Sequence, residues 1–199
     1  MDDQRLQSLG QFTPEGVLTP GYHDHYLFLV GRDDVHGVLH YLLTHETLEL
    51  DFNMYGFADD QLNEDILTLL KTPSVVVQGT LDKSQAGGVH ERKLIALDEA
   101  NDPAFLNSIA IGESATHQIS HTKSGICVGL GVAFEGSTNW SASGEGTGIS
   151  LKADVKNPSG FKAQNNTLMV SVNPVFITRL RTRLHAEHQI AMTQSQPKL

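Results

Sequence analysis

Cysteine is almost absent. Cys127 is the one thiol in 199 residues, so no intramolecular disulfide can form and the fold cannot depend on one. Positive charge is scarce too, with 14 lysines and arginines against 23 aspartates and glutamates, a formal net charge of −9. That balance argues against broad adhesion to nucleic acid or anionic lipid, which both need a positive surface. A local positive pocket stays open. Long apolar runs are missing as well: the longest are strand-length, far below the ~20 residues of a membrane-spanning helix, and no amphipathic membrane-binding stretch replaces them. The opening MDDQRLQSLGQFTPEG carries acidic residues where a secretory leader carries basic ones, with no apolar segment after it. A cytoplasmic protein that meets no membrane is the expectation.

What is present suits an ordinary globular domain. Hydrophobic residues make up 39% and charged residues 19%, and a chain of this length buries a core without staples. Residues 1–21, broken by Gly10, Pro14, Gly16, Pro20 and Gly21, read as an arm or loop, residues 22–192 as one domain, and residues 193–199 as a frayed tail. YLFLV (26–30) is a short buried strand, and 33–46 has apolar residues at helical spacing. Residues 47–57 alternate as a strand, with Leu48, Leu50, Phe52 and Met54 on one face. Residues 58–71 form an amphipathic helix with Asp59 or Asp60 as N-cap.

Further strands are expected at 74–82, 106–113 and 165–172, and helices at 87–100 and 173–192, the last with Pro174 in its first turn. HTKSGICV and GVAFEGS form two strands turning at Gly129-Leu130-Gly131, and residues 141–164 include an irregular loop. Strands alternating with helices imply an α/β fold: a mixed β-sheet sandwiched between helices.

The chemistry lies in residues 121–139. On a strand, His121 and Lys123 point to one face, pairing an imidazole that attacks or protonates near neutral pH with a cation for a phosphate oxygen. Gly136 permits a tight turn with exposed backbone N–H groups, and Ser137 and Asn139 add a hydroxyl and a carboxamide at the same i, i+2 spacing. Fixed donors of this kind stabilise a phosphoryl group that becomes more negative as it reacts. A lone histidine on a strand is more often a packed or surface residue, and Gly-Ser-x-Asn alone is a common turn. Four polar groups at two matched spacings on consecutive strands are harder to dismiss. Trp140, the single tryptophan, directly follows Asn139 and is expected to pack beneath the site rather than stack on a substrate.

His121-Thr-Lys123 followed by Gly136-Ser137-Thr-Asn139-Trp140-Ser141 resembles the HxK…GSxN motif of the phospholipase D superfamily. TLELDFNMYGFADDQLNEDILTLL resembles that family's early strand, its Y-x-F turn and the following helix. SVVVQGTLDKSQ resembles the next strand, and NNTLMVSVNPVFITRLRTRLHAEH the closing strand and C-terminal helix. The likeness covers roughly residues 26 to 191 and implies a phospholipase D-like α/β/α domain. Two positions depart from it. The aspartate usual five residues after the lysine is Val128 here, and Gln164 or Asn165 stands where the family's small nucleases carry a glutamate that orients the histidine. An amide holds an imidazole but stabilises an imidazolium less than a carboxylate does.

The resemblance implies a phosphodiesterase in which one histidine attacks phosphorus, forming a phosphohistidine, while a second protonates the leaving oxygen. This chain has one His-x-Lys; His117 lacks a lysine two residues on. A homodimer sharing one cleft is therefore expected, with His121, Lys123 and Asn139 catalytic, Lys123, Ser137 and Asn139 binding phosphate, and DNA or RNA as substrate. A lipid phosphodiesterase and a weakened binding or scaffold module are the rivals. No cofactor is expected. His23 and His25 around Asp24, and His36 and His40 at i, i+4, come with no cysteine pair and no H-E-x-x-H, so no metal is expected either. Gly129-Leu-Gly131 lacks the third glycine of a dinucleotide loop, and Arg179, Arg181 and Arg183 read as a helix face.

Overall fold

A computed structural model describes residues 3–101, 108–112, 120–147 and 163–195. Its elements in chain order are α1 (Gln4–Gln7), a 3-10 turn (Ser8–Phe12), β1 (His25–Leu29), α2 (Val35–His45), β2 (Glu49–Met54), β3 (Phe57–Ala58), α3 (Asp60–Leu70) and β4 (Val76–Asp82). There follow α4 (Val89–Ala100), β5 (Ser108–Gly112), β6 (Lys123–Cys127), β7 (Val132–Gly136), β8 (Trp140–Ser141), α5 (Ala142–Glu145), β9 (Thr167–Ser171) and α6 (Pro174–Ser195). The expected helices and strands of the domain are found, and Asp59 caps α3 by accepting from the Leu62 N–H at 2.8 Å.

Seven strands form one mixed sheet in the order β1-β9-β7-β6-β2-β4-β5. β2, β4 and β5 are parallel neighbours, and β6, β7, β9 and β1 run antiparallel in succession from β2. On one face Leu50, Phe52 and Met54 of β2 join Val38, Leu39 and Leu42 of α2 and Leu62, Ile66 and Leu70 of α3 in a single core. On the other face α6 lays Leu180 and Leu184 over Ile126 and Ala133. The result is the helix–sheet–helix sandwich that the alternating pattern implies.

Four details differ from expectation. Residues 193–195, read as the start of a frayed tail, continue α6. Residues 4–12, read as arm or loop, are helical and seat Leu6 and Leu9 in the core; short turns with isolated apolar residues carry no periodic signal. β1 is an edge strand, and Leu27 is 50% exposed rather than buried. Leu48 precedes β2 and is exposed, whereas the polar face of that strand is buried. There Arg181 of α6 donates to Asp51 (3.1 Å) and Glu49 (2.5 Å), His185 Nε2 lies 3.0 Å from Asp51 Oδ2, and Asn53 bonds Glu187. Burial, with Glu49 adding, pushes the Asp51 carboxyl up. Arg183 pairs with Glu187 along α6 itself, so one arginine of the basic run, Arg181, serves the helix–sheet contact.

Val128 stands where the resembling family keeps an aspartate, and the β6–β7 hairpin is nevertheless firmly held. Val128 donates its N–H to the Glu49 carbonyl and packs under α6. Glu46, buried after α2, accepts from the Gly129 N–H at 2.9 Å and from the amides of Thr47 and Leu48 at 2.7 and 2.6 Å. A carboxylate among backbone donors anchors the turn in place of the missing aspartate.

Candidate active site at the carboxyl end of the sheet

The carboxyl ends of the parallel strands β2, β4 and β5 form one edge of the sheet, where open α/β folds place their ligands. Lys123 opens β6 opposite Met54, the last residue of β2. His121 lies just ahead of the strand and is exposed, so the two are not strand neighbours as the spacing suggested. They meet on Tyr55 instead. The Tyr55 and His121 ring centroids are 4.5 Å apart at 53°, and the Lys123 ammonium is 5.0 Å from the Tyr55 centroid. Lys123 Nζ also donates to the His121 carbonyl at 2.9 Å.

Lys123 is only 3% exposed, and burial lowers its pKa from the ordinary 10.5. Only the ammonium attracts a phosphate, so inorganic phosphate is expected to bind progressively more weakly as pH rises through this lowered value, before an ordinary lysine would discharge. Lys123→Arg, which stays protonated, shifts that decline to higher pH. Calorimetric phosphate titrations from neutrality to 10.5 check the point; an affinity unchanged over that range contradicts it.

The second half of the motif follows β7. Gly136 is needed for close approach rather than for a turn with free amides: a Cβ there would stand 2.0 Å from the Thr167 carbonyl oxygen of β9, and the Ser137 N–H already donates to that oxygen at 3.0 Å. Gly136→Ala is expected to pry β7 from β9 and cost about 2–3 kcal/mol, read as a lower urea midpoint. An unchanged midpoint refutes the close-approach role.

Ser137 is exposed; its hydroxyl donates to Asn166 Oδ1 at 3.2 Å and accepts the Thr167 N–H at 3.0 Å. It therefore ties the turn to β9. Asn139 packs its carboxamide over Gly56, where a Cβ would lie 3.1 Å away, and its Oδ1 is buried without a partner among the described residues. Trp140 is buried against Phe52, Phe57 and Phe134 at centroid distances of 5.8, 5.4 and 6.0 Å, the packing role expected of it.

Tyr55 and Gly56 join the two halves. Tyr55 donates its N–H to the Thr122 carbonyl and holds His121 and Lys123, while Gly56 accepts from the Trp140 N–H at 2.9 Å and meets Asn139. In the sequence this pair is only part of a turn; its proximity to both motif halves is a product of the β2–β6 and β3–β8 pairings. Of the residues expected to orient the histidine, Gln164 accepts from Asn166 Nδ2 at 3.0 Å and Asn165 is exposed. Neither hydrogen-bonds His121. Asn166, not singled out by sequence, links Ser137, Gln164 and the Gly144 carbonyl. His117 lies outside the described residues.

No family profile and no curated protein matches this chain in sequence. Solved structures do match in shape. NucT from Helicobacter pylori superposes with a TM-score of 0.60 at 15% identity, over 83% of this chain and 96% of its own. The phospholipase D family member Nuc from Salmonella typhimurium gives 0.56 at 10%, over 84% and 96%. The phosphatidylserine synthase of Haemophilus influenzae Rd KW20 gives 0.59 at 8%, over 98% of this chain and 44% of its own. The chain has the phospholipase D-like fold. Among the described residues no helix is long and apolar enough to cross a membrane.

Proposed function

We propose that the protein is a phosphodiester hydrolase working through a covalent phosphohistidine, with nucleic acid as substrate and the active site shared by two copies. The observation that carries this reading is the meeting of His121, Lys123 and Asn139 on the Tyr55–Gly56 pair at the carboxyl end of the sheet. The exposed imidazole of His121 attacks phosphorus; a P–N bond forms as the P–O bond to the leaving group breaks. The same histidine of a second copy gives its proton to the leaving oxygen, then takes one from water, whose oxygen displaces the histidine and breaks the P–N bond. Lys123 and Asn139 stabilise the negative charge growing on the phosphoryl oxygens, so the chemistry requires no metal. The likeness to Nuc and NucT, each matched over 96% of its length, supports this reading of size and fold.

The test is acid-quenching of a reaction on labelled single- and double-stranded DNA and RNA in EDTA, followed by mapping of the trapped label. Label on His121, with light scattering giving a dimer, is expected. A fully active monomer sinks the shared site. The phosphatidylserine synthase likeness, spanning 98% of this chain, favours a lipid phosphodiester as second reading, and the same assay on phosphatidylcholine and phosphatidylserine vesicles separates the two. Absence of an orienting contact from Gln164 or Asn165 to His121 favours a binding module with little turnover; no label from any substrate would establish that reading.

A further inference from the structure

Beside the motif turn lies a second polar group that the phosphoryl chemistry does not use. His36 of α2, Asp59 at the start of α3 and Glu145 of α5 bring their donor atoms within 4.8 Å of one another. His36 Nδ1 is 2.6 Å from Glu145 Oε2 and 3.6 Å from Asp59 Oδ2. The Glu145 side chain is wholly buried and that of Asp59 nearly so, at 0% and 7% exposure. The other oxygen of the same carboxylate, Glu145 Oε1, is buried and has no hydrogen-bond partner among the described residues.

Two buried carboxylates facing one imidazole hold more negative charge than His36 balances, and an unpaired buried carboxylate oxygen is costly. Among the described residues no lysine or arginine pairs with either acid. The other imidazole–dicarboxylate group among the described residues, Glu49, Asp51 and His185, differs in this respect, because Arg181 bridges its two acids.

The ligand atoms are also held in place. Asp59 Oδ1 is fixed by the Leu62 N–H, which leaves Oδ2 turned to His36, and the His36 ring stacks on His40 with centroids 6.4 Å apart at 5°. Neighbouring ligands on a tetrahedral ion with bonds of ~2.1 Å stand about 3.4 Å apart. The His36–Asp59 separation already matches, and the Glu145 carboxylate needs to withdraw by under about 1 Å.

We propose that His36, Asp59 and Glu145 bind one first-row divalent cation, zinc or manganese, the ions that one imidazole and two carboxylates suit. The ion is a brace rather than a reactant. Glu145 sits one residue after Gly144, where an added Cβ would lie 2.3 Å from the Asn139 carbonyl. A cation there fastens α5, and the Asn139 turn it backs, to α2 and α3.

The experiment titrates ZnCl2 and MnCl2 into the chelator-stripped 199-residue protein by calorimetry, alongside thermal melts. One site per chain and a rise in melting temperature are expected. Asp59→Asn keeps a capping side chain and Glu145→Gln keeps the shape; each is expected to weaken binding at least tenfold, while His185→Asn leaves it unchanged. Circular dichroism confirms that the variants fold. Burial already pushes the Glu145 carboxyl up to about 7, so a proton is the rival occupant. No binding at millimolar metal by folded protein, or binding indifferent to Asp59→Asn and Glu145→Gln, overturns the proposal. Neither readout depends on phosphodiester cleavage, so a silent enzyme leaves the result interpretable.

Discussion

His121→Ala is expected to lower phosphodiester cleavage by at least about 10^3-fold, because in the proposed mechanism His121 forms the covalent bond to phosphorus and the residual rate comes from binding alone. The same substitution is expected to leave stability within about 0.5 kcal/mol, since the side chain is exposed and packs against the Tyr55 ring. That dissociation of activity from stability is the signature to measure, with initial rates on the preferred nucleic acid and urea unfolding of the same preparation. Lys123→Ala would not show it, because Lys123 is buried and its removal disturbs packing as well as charge. Cleavage by His121→Ala within tenfold of the parent would remove the histidine from the mechanism.

Glu46→Ala is expected to be the most destabilising single change at a carboxylate, by about 3–5 kcal/mol. Its carboxylate serves the backbone amides of Thr47, Leu48 and Glu49 on its own side and Gly129 across the hairpin. Each buried amide left unpaired costs about 1–3 kcal/mol, and part of that is regained as water enters the gap. Glu46→Gln keeps one acceptor oxygen but turns an NH2 towards donors that need an acceptor, so it recovers less than half of the loss. The comparison is the shift in urea midpoint at constant slope. A shift below about 1 kcal/mol for Glu46→Ala would mean that the hairpin is held by Val128 and the strand ladder alone.

The two substitutions mark how far residue patterns reach. His121, Lys123 and Asn139 were visible because their chemistry is unusual at those spacings. Glu46 was not, for a glutamate at a helix end looks like any solvated acid until a distant hairpin supplies amides for it to accept. Tyr55 shows the same thing at the site: an aromatic at a strand end is ordinary in sequence, and its contact with both His121 and Lys123 follows from β2 lying beside β6. The close approach at Gly136 looks like turn freedom in the sequence, which shows that a side chain is absent but not which oxygen needs the space.

By itself, then, the order of apolar residues determined the alternation of helices and strands, and the polar run after residue 120 determined which functional groups stand at matched spacings, because periodicity and residue type are local properties. The tertiary structure decided which of those groups meet. The antiparallel return of β6 beside β2 set His121 and Lys123 on Tyr55, the polar face of β2 found its partners on α6, and three segments far apart in the chain gathered His36, Asp59 and Glu145. Such meetings depend on burial and long-range strand pairing, where the cost of an unpaired polar group selects the partner.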